Sequence, residues 1–306
     1  MPRISVVTPS FNQARYVGDT ICSVVGQGYP NLEYLVIDGG STDGSRDVIA
    51  SHGARLAYWV SEPDRGQTDA INKGLAKSTG EIVAYLNSDD LYLDDTFERV
   101  ADFFTDHPEV DIVYSDLKVI DGEGVSLGRW KSRPFDRVAL LCRNFIFQPT
   151  VFIRRRVLDK IGRFDEALHY VMDVDFWYRA SNYFRFHYLS EPLAVFRLHD
   201  ESKTGQSRVP FVREREMVLA RFLAACDDPD VKRHRDHILA WHHYHGGEQL
   251  HQRGEVAEAA NEFRAALRLD LFSLKGLISL SGVIDDRLGT HLYPLAKRLW
   301  WHKVRP

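Results

Sequence analysis

From its first residues to about residue 120 the chain alternates short apolar runs with stretches of helical spacing, and that rhythm leaves few folds open. Ile4-Ser5-Val6-Val7-Thr8 reads as a buried strand that stops at Pro9. Residues 14–27 then carry Ile21, Val24 and Val25 on one helical face. Leu32–Asp38 is a second strand, halted by Gly39-Gly40. A helix over Ser45–His52, a strand over Leu56–Ser61, a helix over Thr68–Ser78, a strand over Ile82–Leu86 and a helix over Thr96–Thr105 follow. Alternation of this kind builds a mostly parallel α/β sheet flanked by helices. Such sheets receive ligands beyond the carboxyl ends of their strands. Thr8, Asp38 and the Asn87–Asp90 cluster all fall at expected strand ends.

Further along, the rhythm loosens. Asp121-Gly122-Glu123-Gly124 reads as a hairpin turn, Gln148–Ile153 as a strand and Val174–Tyr183 as a helix. After about residue 207 the pattern is helical: one helix over 211–225, then a helix pair over 238–268 that turns at Gly254. The expected organisation is an α/β domain over 1–205 and an all-helical extension over 206–306. Within the pair, Gly246, Leu250, Gly254, Ala259, Phe263 and Ala266 resemble one tetratricopeptide-type unit. A single unit cannot bury both its faces, so it packs on its own chain, on a second copy or on a protein partner.

The formal net charge of −4 gives no basic field for nucleic acid. Cys22, Cys142 and Cys226 are far apart and form no C-x-x-C pair, which fits a reducing compartment without a disulfide framework or a thiolate zinc site. No apolar run reaches the roughly 18 residues of a membrane-spanning helix, and the start lacks the character of a signal peptide. These points favour a cytoplasmic protein. The segment 290–303 is basic and amphipathic, with Leu292, Leu295, Ala296, Leu299 and Trp300 at helical spacing. It fits either a peripheral contact with an anionic membrane or a helix docked on its own domain. His242-His243-Tyr244-His245, with His234, His237 and His251 nearby, reads as a solvated helix face rather than a metal site.

Four stretches could carry chemistry. Asn87-Ser88-Asp89-Asp90 offers adjacent acids to a hard cation, and the same residues fit a loop turn, with Asp94 or Asp95 capping the helix at Thr96. Asp38-Gly39-Gly40-Ser41-Thr42-Asp43 ends a strand; Asp38 could accept hydrogen bonds from a base or ribose, while Asp43 suits a helix cap. The amides of the helix that begins near Thr68, with Arg65, could meet a phosphate, or form a polar surface loop. Asp173 and Asp175 open another helix at i and i+2, so only one of them is expected to face a cleft, where a carboxylate can take a proton from a hydroxyl. Both also fit the stabilisation of a helix N-terminus. His199 reads as a metal ligand or a satisfied polar side chain.

Taken in order, these segments resemble the inverting family 2 glycosyltransferases of GT-A fold. Val6-Val7-Thr8-Pro9-Ser10-Phe11-Asn12 is similar to that family's opening strand and loop. Leu35–Gly44, Glu62–Gly74, Leu86–Asp90, Gly162–Glu166 with Asp173–Trp177, and Arg197-Leu198-His199 resemble its later motifs. The resemblance covers about residues 1–205. It implies transfer of a sugar from a nucleotide diphosphate donor, most often UDP-linked, to a glycan or lipid-linked hydroxyl in surface polysaccharide or glycoconjugate synthesis. It implies that Thr8, Pro9, Phe11, Asp38, Arg65, Asn72, Lys73, Asn87 and Ser88 lie on the nucleotide side. Asp89 and His199 would hold Mn2+ or Mg2+, Asp173 would be the catalytic base, and Asp175 and Trp177 would shape the acceptor side. The sequence departs from the pattern at Asn87, where many relatives have Asp, and at Met172, where many have Glu. Two other readings stand beside this one: a nucleotide-binding scaffold that uses its helical extension for protein interaction, and a nucleotidyltransferase. The second would need a glycine- and basic-rich triphosphate loop, which Ser10-Phe11-Asn12-Gln13 does not provide.

Overall fold

A computed structural model describes residues 1–199 and 209–269; the expected basic helix at 290–303 lies outside the described residues. Two compact units emerge among them, one from residues 1–135 with 145–199, the other from 136–144 with 209–269.

The first unit is built on β1 (Ile4–Ser10), buried along its whole length. On one side it pairs in parallel with β2 (Leu32–Asp38), which pairs in parallel with β3 (Tyr58–Ser61). On the other side it pairs in parallel with β4 (Ile82–Tyr85). The intervening helices are α1 (Val17–Val25), α2 (Ser45–Ser51) and α3 (Gln67–Lys77). A strand covered on both faces must be apolar throughout, which is why the Ile4–Val7 run was legible. Gly74 lets α3 lie close on β1: a Cβ there would come within 2.3 Å of Val7 Cγ1. Because β2 and β4 leave β1 on opposite sides, the carboxyl ends of β1 and β4 form the switch point at which ligands enter sheets of this type.

Beyond β4 the sheet becomes mixed: antiparallel pairs join the parallel ones, β6–β9 among the latter. The order is β3-β2-β1-β4-β8-β6-β9-β5, with β7 also paired to β6. Here β5 is Leu91–Tyr92, β6 Ile112–Asp121, β7 Ser126–Trp130, β8 Phe152–Arg154 and β9 Phe186–Leu198. The β6–β7 hairpin turns at the Asp121–Gly124 segment, as its composition predicts. The expected strand at Gln148–Ile153 is instead a 3-10 turn over Gln148–Thr150 followed by β8. Pro149 has no N–H for a ladder and holds the turn. The longest strand, β9, has no counterpart in the sequence reading. Its apolar runs are split by Ser190-Glu191-Pro192, and its register against β6 shifts there, a bulge that tolerates proline.

Three further helices complete this unit's framework: α4 (Thr96–Asp106), whose N-terminal neighbour Asp95 is in the left-handed region and makes no side-chain cap, α6 (Arg155–Ile161) and α7 (Met172–Ser181); α5 (Arg137–Cys142) belongs to the second unit. The Asp136 side chain accepts from Ala139 N to cap α5, and Arg137 pairs with Asp228. Thus a segment inside the expected first domain belongs to the helical unit. That unit continues with α8 (Val209–Ala225), α9 (Pro229–Arg233), α10 (Arg235–Gln252) and α11 (Val256–Leu269). Val212, Tyr244, Leu250, Ala259, Phe263 and Ala266 form its core. Among the described residues no helix is long and apolar enough to cross a membrane.

Candidate active site

The turn after β4 carries the acids. Asp90 is fully buried; its Oδ1 accepts from Arg197 N at 3.1 Å, and its Oδ2 accepts from Asn87 Nδ2 at 3.3 Å. Burial, and then the neighbouring charge of Asp89, push the Asp90 carboxyl well above the usual carboxylate range. Asp89 points elsewhere: its Oδ2 lies 3.0 Å from His199 Nε2, across 110 residues of chain. The closing strand β9 makes that meeting. Arg197 Nε donates to Asp89 O at 3.1 Å, and the guanidinium lies 4.8 Å from the centroid of the Tyr16 ring. His199 packs on the same ring at 4.8 Å. One carboxylate oxygen and one imidazole nitrogen at this spacing fit a divalent ion such as manganese, which would complete its shell with oxygens of a diphosphate and water.

A second carboxylate comes from α7. Asp173 is partly exposed in the first turn of that helix, where Val171 and not an acid occupies the capping position. Asp175 is buried, and Arg179 Nε donates to it at 2.8 Å while also reaching Ile161 O and Arg163 O. So the i, i+2 pair differs in burial: Asp175, through Arg179, fixes the loop before α7, and Asp173 stays partly exposed. Tyr85 links Asp173 to the acidic turn. Burial and then the charges of Asp173 and Asp90 push its hydroxyl well above the usual phenol range. Tyr85 meets Phe164 edge-on at 5.4 Å, and Phe164 stacks on Phe176 at 4.4 Å. Trp177 is buried and lines an apolar pocket with Tyr85, Gln148 and Phe164.

The nucleotide-side residues fall into two groups. Thr8 is buried, its hydroxyl 3.0 Å from Tyr34 OH, and Pro9 is buried beside it, whereas Phe11 is 60% exposed in the loop beyond. Asp38 is fully buried and accepts from Ser41 N (2.9 Å), Ser41 Oγ (2.5 Å), Gly40 N (3.2 Å) and Ser61 Oγ (2.7 Å). Its carboxylate therefore shapes the glycine-rich turn. Asp43 accepts from Ser45 N and Oγ just before α2, whose cap position is held by Gly44 without a side-chain cap. Arg65 pairs with Asp69 at 2.9 Å and Glu166 at 2.6 Å. Asn72 is buried and clasps Phe164: its Nδ2 donates to the carbonyl at 2.9 Å and its Oδ1 accepts from the amide at 3.1 Å. Lys73 pairs with Glu62 at 3.3 Å and Asp69 at 3.5 Å. Arg65 and Asn72 thus tie α3 to the segment before α7. Asn87 accepts from Gln67 Nε2 at 2.7 Å, and Ser88 is buried.

Three site residues carry no sequence signal that the reading used. Gln148 Nε2 donates to Tyr85 O at 2.7 Å and its Oε1 lies 3.5 Å from Asn87 Nδ2. Tyr85 looked like an ordinary strand apolar residue. Glu166 stood inside a quoted motif without a role. The Gln148-Pro149 dipeptide, polar then rigid inside an apolar stretch, was the one local hint.

This geometry, a sheet switch point with a carboxylate–imidazole pair and a second carboxylate beyond it, defines a transferase of the GT-A fold. The chain matches the model of Glycosyl transferase family 2 over residues 5–162, and it belongs to that family. It is 30% identical over 232 residues to an uncharacterized glycosyltransferase of Rickettsia typhi, covering 72% of each chain. To a PGL/p-HBAD biosynthesis glycosyltransferase of Mycobacterium bovis it is 32% identical over 179 residues, covering 57% of this chain and 68% of the relative. Its fold is similar to that of Staphylococcus aureus TarS 1–349 in complex with UDP-GlcNAc (TM-score 0.68, 20% identity, 98% of this chain and 92% of that one). A Pyrobaculum calidifontis mannosyltransferase in complex with GDP-Man and Mn2+ is also similar (TM-score 0.64, 21% identity, 98% and 83% covered). The protein is a glycosyltransferase, which replaces the scaffold and nucleotidyltransferase readings.

Proposed function

We propose that this enzyme transfers a sugar from a UDP-linked donor to a hydroxyl of a glycan or lipid-linked acceptor, with inversion, in surface polysaccharide or glycoconjugate synthesis. The observation that carries the reading is the convergence of Asp89 and His199 at 3.0 Å beside the switch point of the sheet. The UDP-GlcNAc seen with TarS and the name of the mycobacterial relative support the donor and the pathway class.

In this scheme Asp89 and His199 hold Mn2+ or Mg2+, which when bound neutralises charge on the departing diphosphate. Asn87, Ser88 and the turn shaped by Asp38 position the nucleotide. Asp173 accepts the proton of the acceptor hydroxyl. The acceptor oxygen bonds to the anomeric carbon as the bond from that carbon to the phosphate oxygen breaks, so one displacement inverts the centre. Trp177 and the Asp175–Arg179 pair keep α7 and its base in place. Among relatives with a glutamate before the base an extra charge is present; Met172, buried here, leaves Asp173 without it.

Asp173→Asn keeps the size of the side chain and removes the base. Transfer is expected to fall by about 10²-fold or more, while the melting-point rise caused by UDP with manganese persists. Near-normal turnover in this variant sinks the assignment of the base.

A further inference from the structure

The helical unit holds a second histidine–carboxylate cluster, unconnected with sugar transfer. Glu216 on α8, His243 on α10 and Glu262 on α11 each offer one ligand atom, and these atoms lie within 4.8 Å of one another. His243 Nδ1 is 3.0 Å from Glu216 Oε1 and 3.0 Å from Glu262 Oε2. Their side chains retain 30%, 23% and 15% exposure, so the cluster is half-buried but reachable by water. The expected solvated histidine face is therefore not what forms: His242 and His245 are buried, and His243 is drawn into this triad.

Hydrogen bonding leaves this cluster short of protons. Nδ1 carries at most one N–H, yet two carboxylates stand at hydrogen-bond distance from it. The two carboxylates also lie within 4.8 Å of each other, a crowding of like charge that a cation between them would relieve. Arg215 also lies beside the cluster, where its Nη2 donates to His242 O.

The backbone is fitted to this meeting. A Cβ at Gly246, one turn after His243, would lie 3.0 Å from Glu262 Oε2. A Cβ at Gly247 would lie 2.6 Å from the Phe263 ring. Glycines inside a helix are costly relative to alanine, and here two of them admit α11, with its carboxylate, close against α10. For zinc, bonds of about 2.0–2.1 Å at tetrahedral angles separate ligand atoms by about 3.3 Å. The observed 3.0 Å contacts need open only by a few tenths of an ångström to reach that spacing.

We propose that Glu216, His243 and Glu262 bind one divalent transition-metal ion, zinc by their mixed nitrogen and oxygen donors, stapling α8, α10 and α11. Metal then replaces the shared protons, and a water takes the open position.

The test uses the full chain, free of any affinity tag, stripped with chelator and titrated with zinc against a chromophoric competitor. Asp89→Ala serves as the background, so that ions at the sugar-transfer site do not count. One zinc per chain is expected to bind, and cobalt in its place should give the visible absorption of a low-coordinate site. His243→Ala and the size-conserving Glu262→Gln should each weaken that zinc at least tenfold and abolish the cobalt bands. Circular dichroism checks folding; if His243→Ala unfolds, Glu262→Gln and Glu216→Gln decide. Unchanged zinc affinity in folded variants, or cobalt that keeps the spectrum of its hydrated ion, overturns the site and leaves a proton-bridged cluster. Because the background already lacks Asp89, failure here says nothing against the transferase reading.

Discussion

The two units each bring a histidine against carboxylates at 3.0 Å, by different means. In the transferase unit, Asp89 and His199 sit on loops at strand ends, held by the buried Asp90 and Arg197 beneath them. In the helical unit, Glu216, His243 and Glu262 project from the sides of three helices. Strand ends open toward space in which a substrate can lie, whereas helix flanks close on one another. On the two proposals above, the same ligand chemistry would serve turnover in one place and cohesion in the other. A carboxylate–imidazole pair is informative about function only together with what stands next to it: Tyr85 and Asp173 in the first case, Gly246 and Phe263 in the second.

The largest effect should separate these two clusters. Asp89→Ala is expected to reduce sugar transfer by on the order of 10²–10³-fold through lost stabilisation of the leaving group. Manganese dependence should go with it, while zinc binding by the helical unit persists. Excess chelator should suppress wild-type turnover to a similar degree, and unchanged turnover in chelator would break the contrast at its functional end.

A middle effect concerns packing. In Gly74→Ala the new methyl meets Val7, which is buried in the central strand and cannot yield, so a loss of about 1–3 kcal/mol is expected. In Gly247→Ala the obstacle is the Phe263 ring, a side chain on a neighbouring helix, and the better helix propensity of alanine offsets part of the clash. Thermal unfolding should therefore drop further for Gly74→Ala, and the opposite order would show that α10 and α11 are the more rigid pair.

The smallest effect is electrostatic. The Arg65 hydrogen bond, with help from its backbone amide and the charge of Lys73, holds the Asp69 carboxyl down to about 2. A depressed carboxylate contributes stability that is complete above about pH 4, its unfolded range, and is lost as pH falls toward 2. Arg65 is largely exposed, so solvent screens the pair. Asp69→Asn should raise the acid-unfolding midpoint by less than about one pH unit. No change at all would mean that the backbone bond from Arg65, and not its charge, is what matters.

Local order along the chain made the parallel half of the sheet readable. The Ile4–Thr8, Leu32–Asp38 and Ile82–Leu86 runs are apolar because both faces are covered, and each ends at a residue that marks the site. Adjacency did the same for Asn87–Asp90 and for the two acids of α7. Proximity in sequence could not say what each acid meets. Asp89 reaches His199 while Asp90 is walled in, and Asp173 is partly exposed while Asp175 is buried against Arg179. Nor could it show that Asn72 clasps Phe164, that Gln148 supports Tyr85, or that β9 runs through Pro192.

Sequence alone thus determined the alternation of elements, the acids at strand ends and the family to which they belong, because periodicity and turn chemistry act over a few residues. Tertiary structure decided the long-range pairings, such as Asp89 with His199 and Asp90 with Arg197. Those partners lie many residues away, and burial, which sets whether a carboxylate binds a ligand or a neighbour, exists only once the sheet and helices have closed around it.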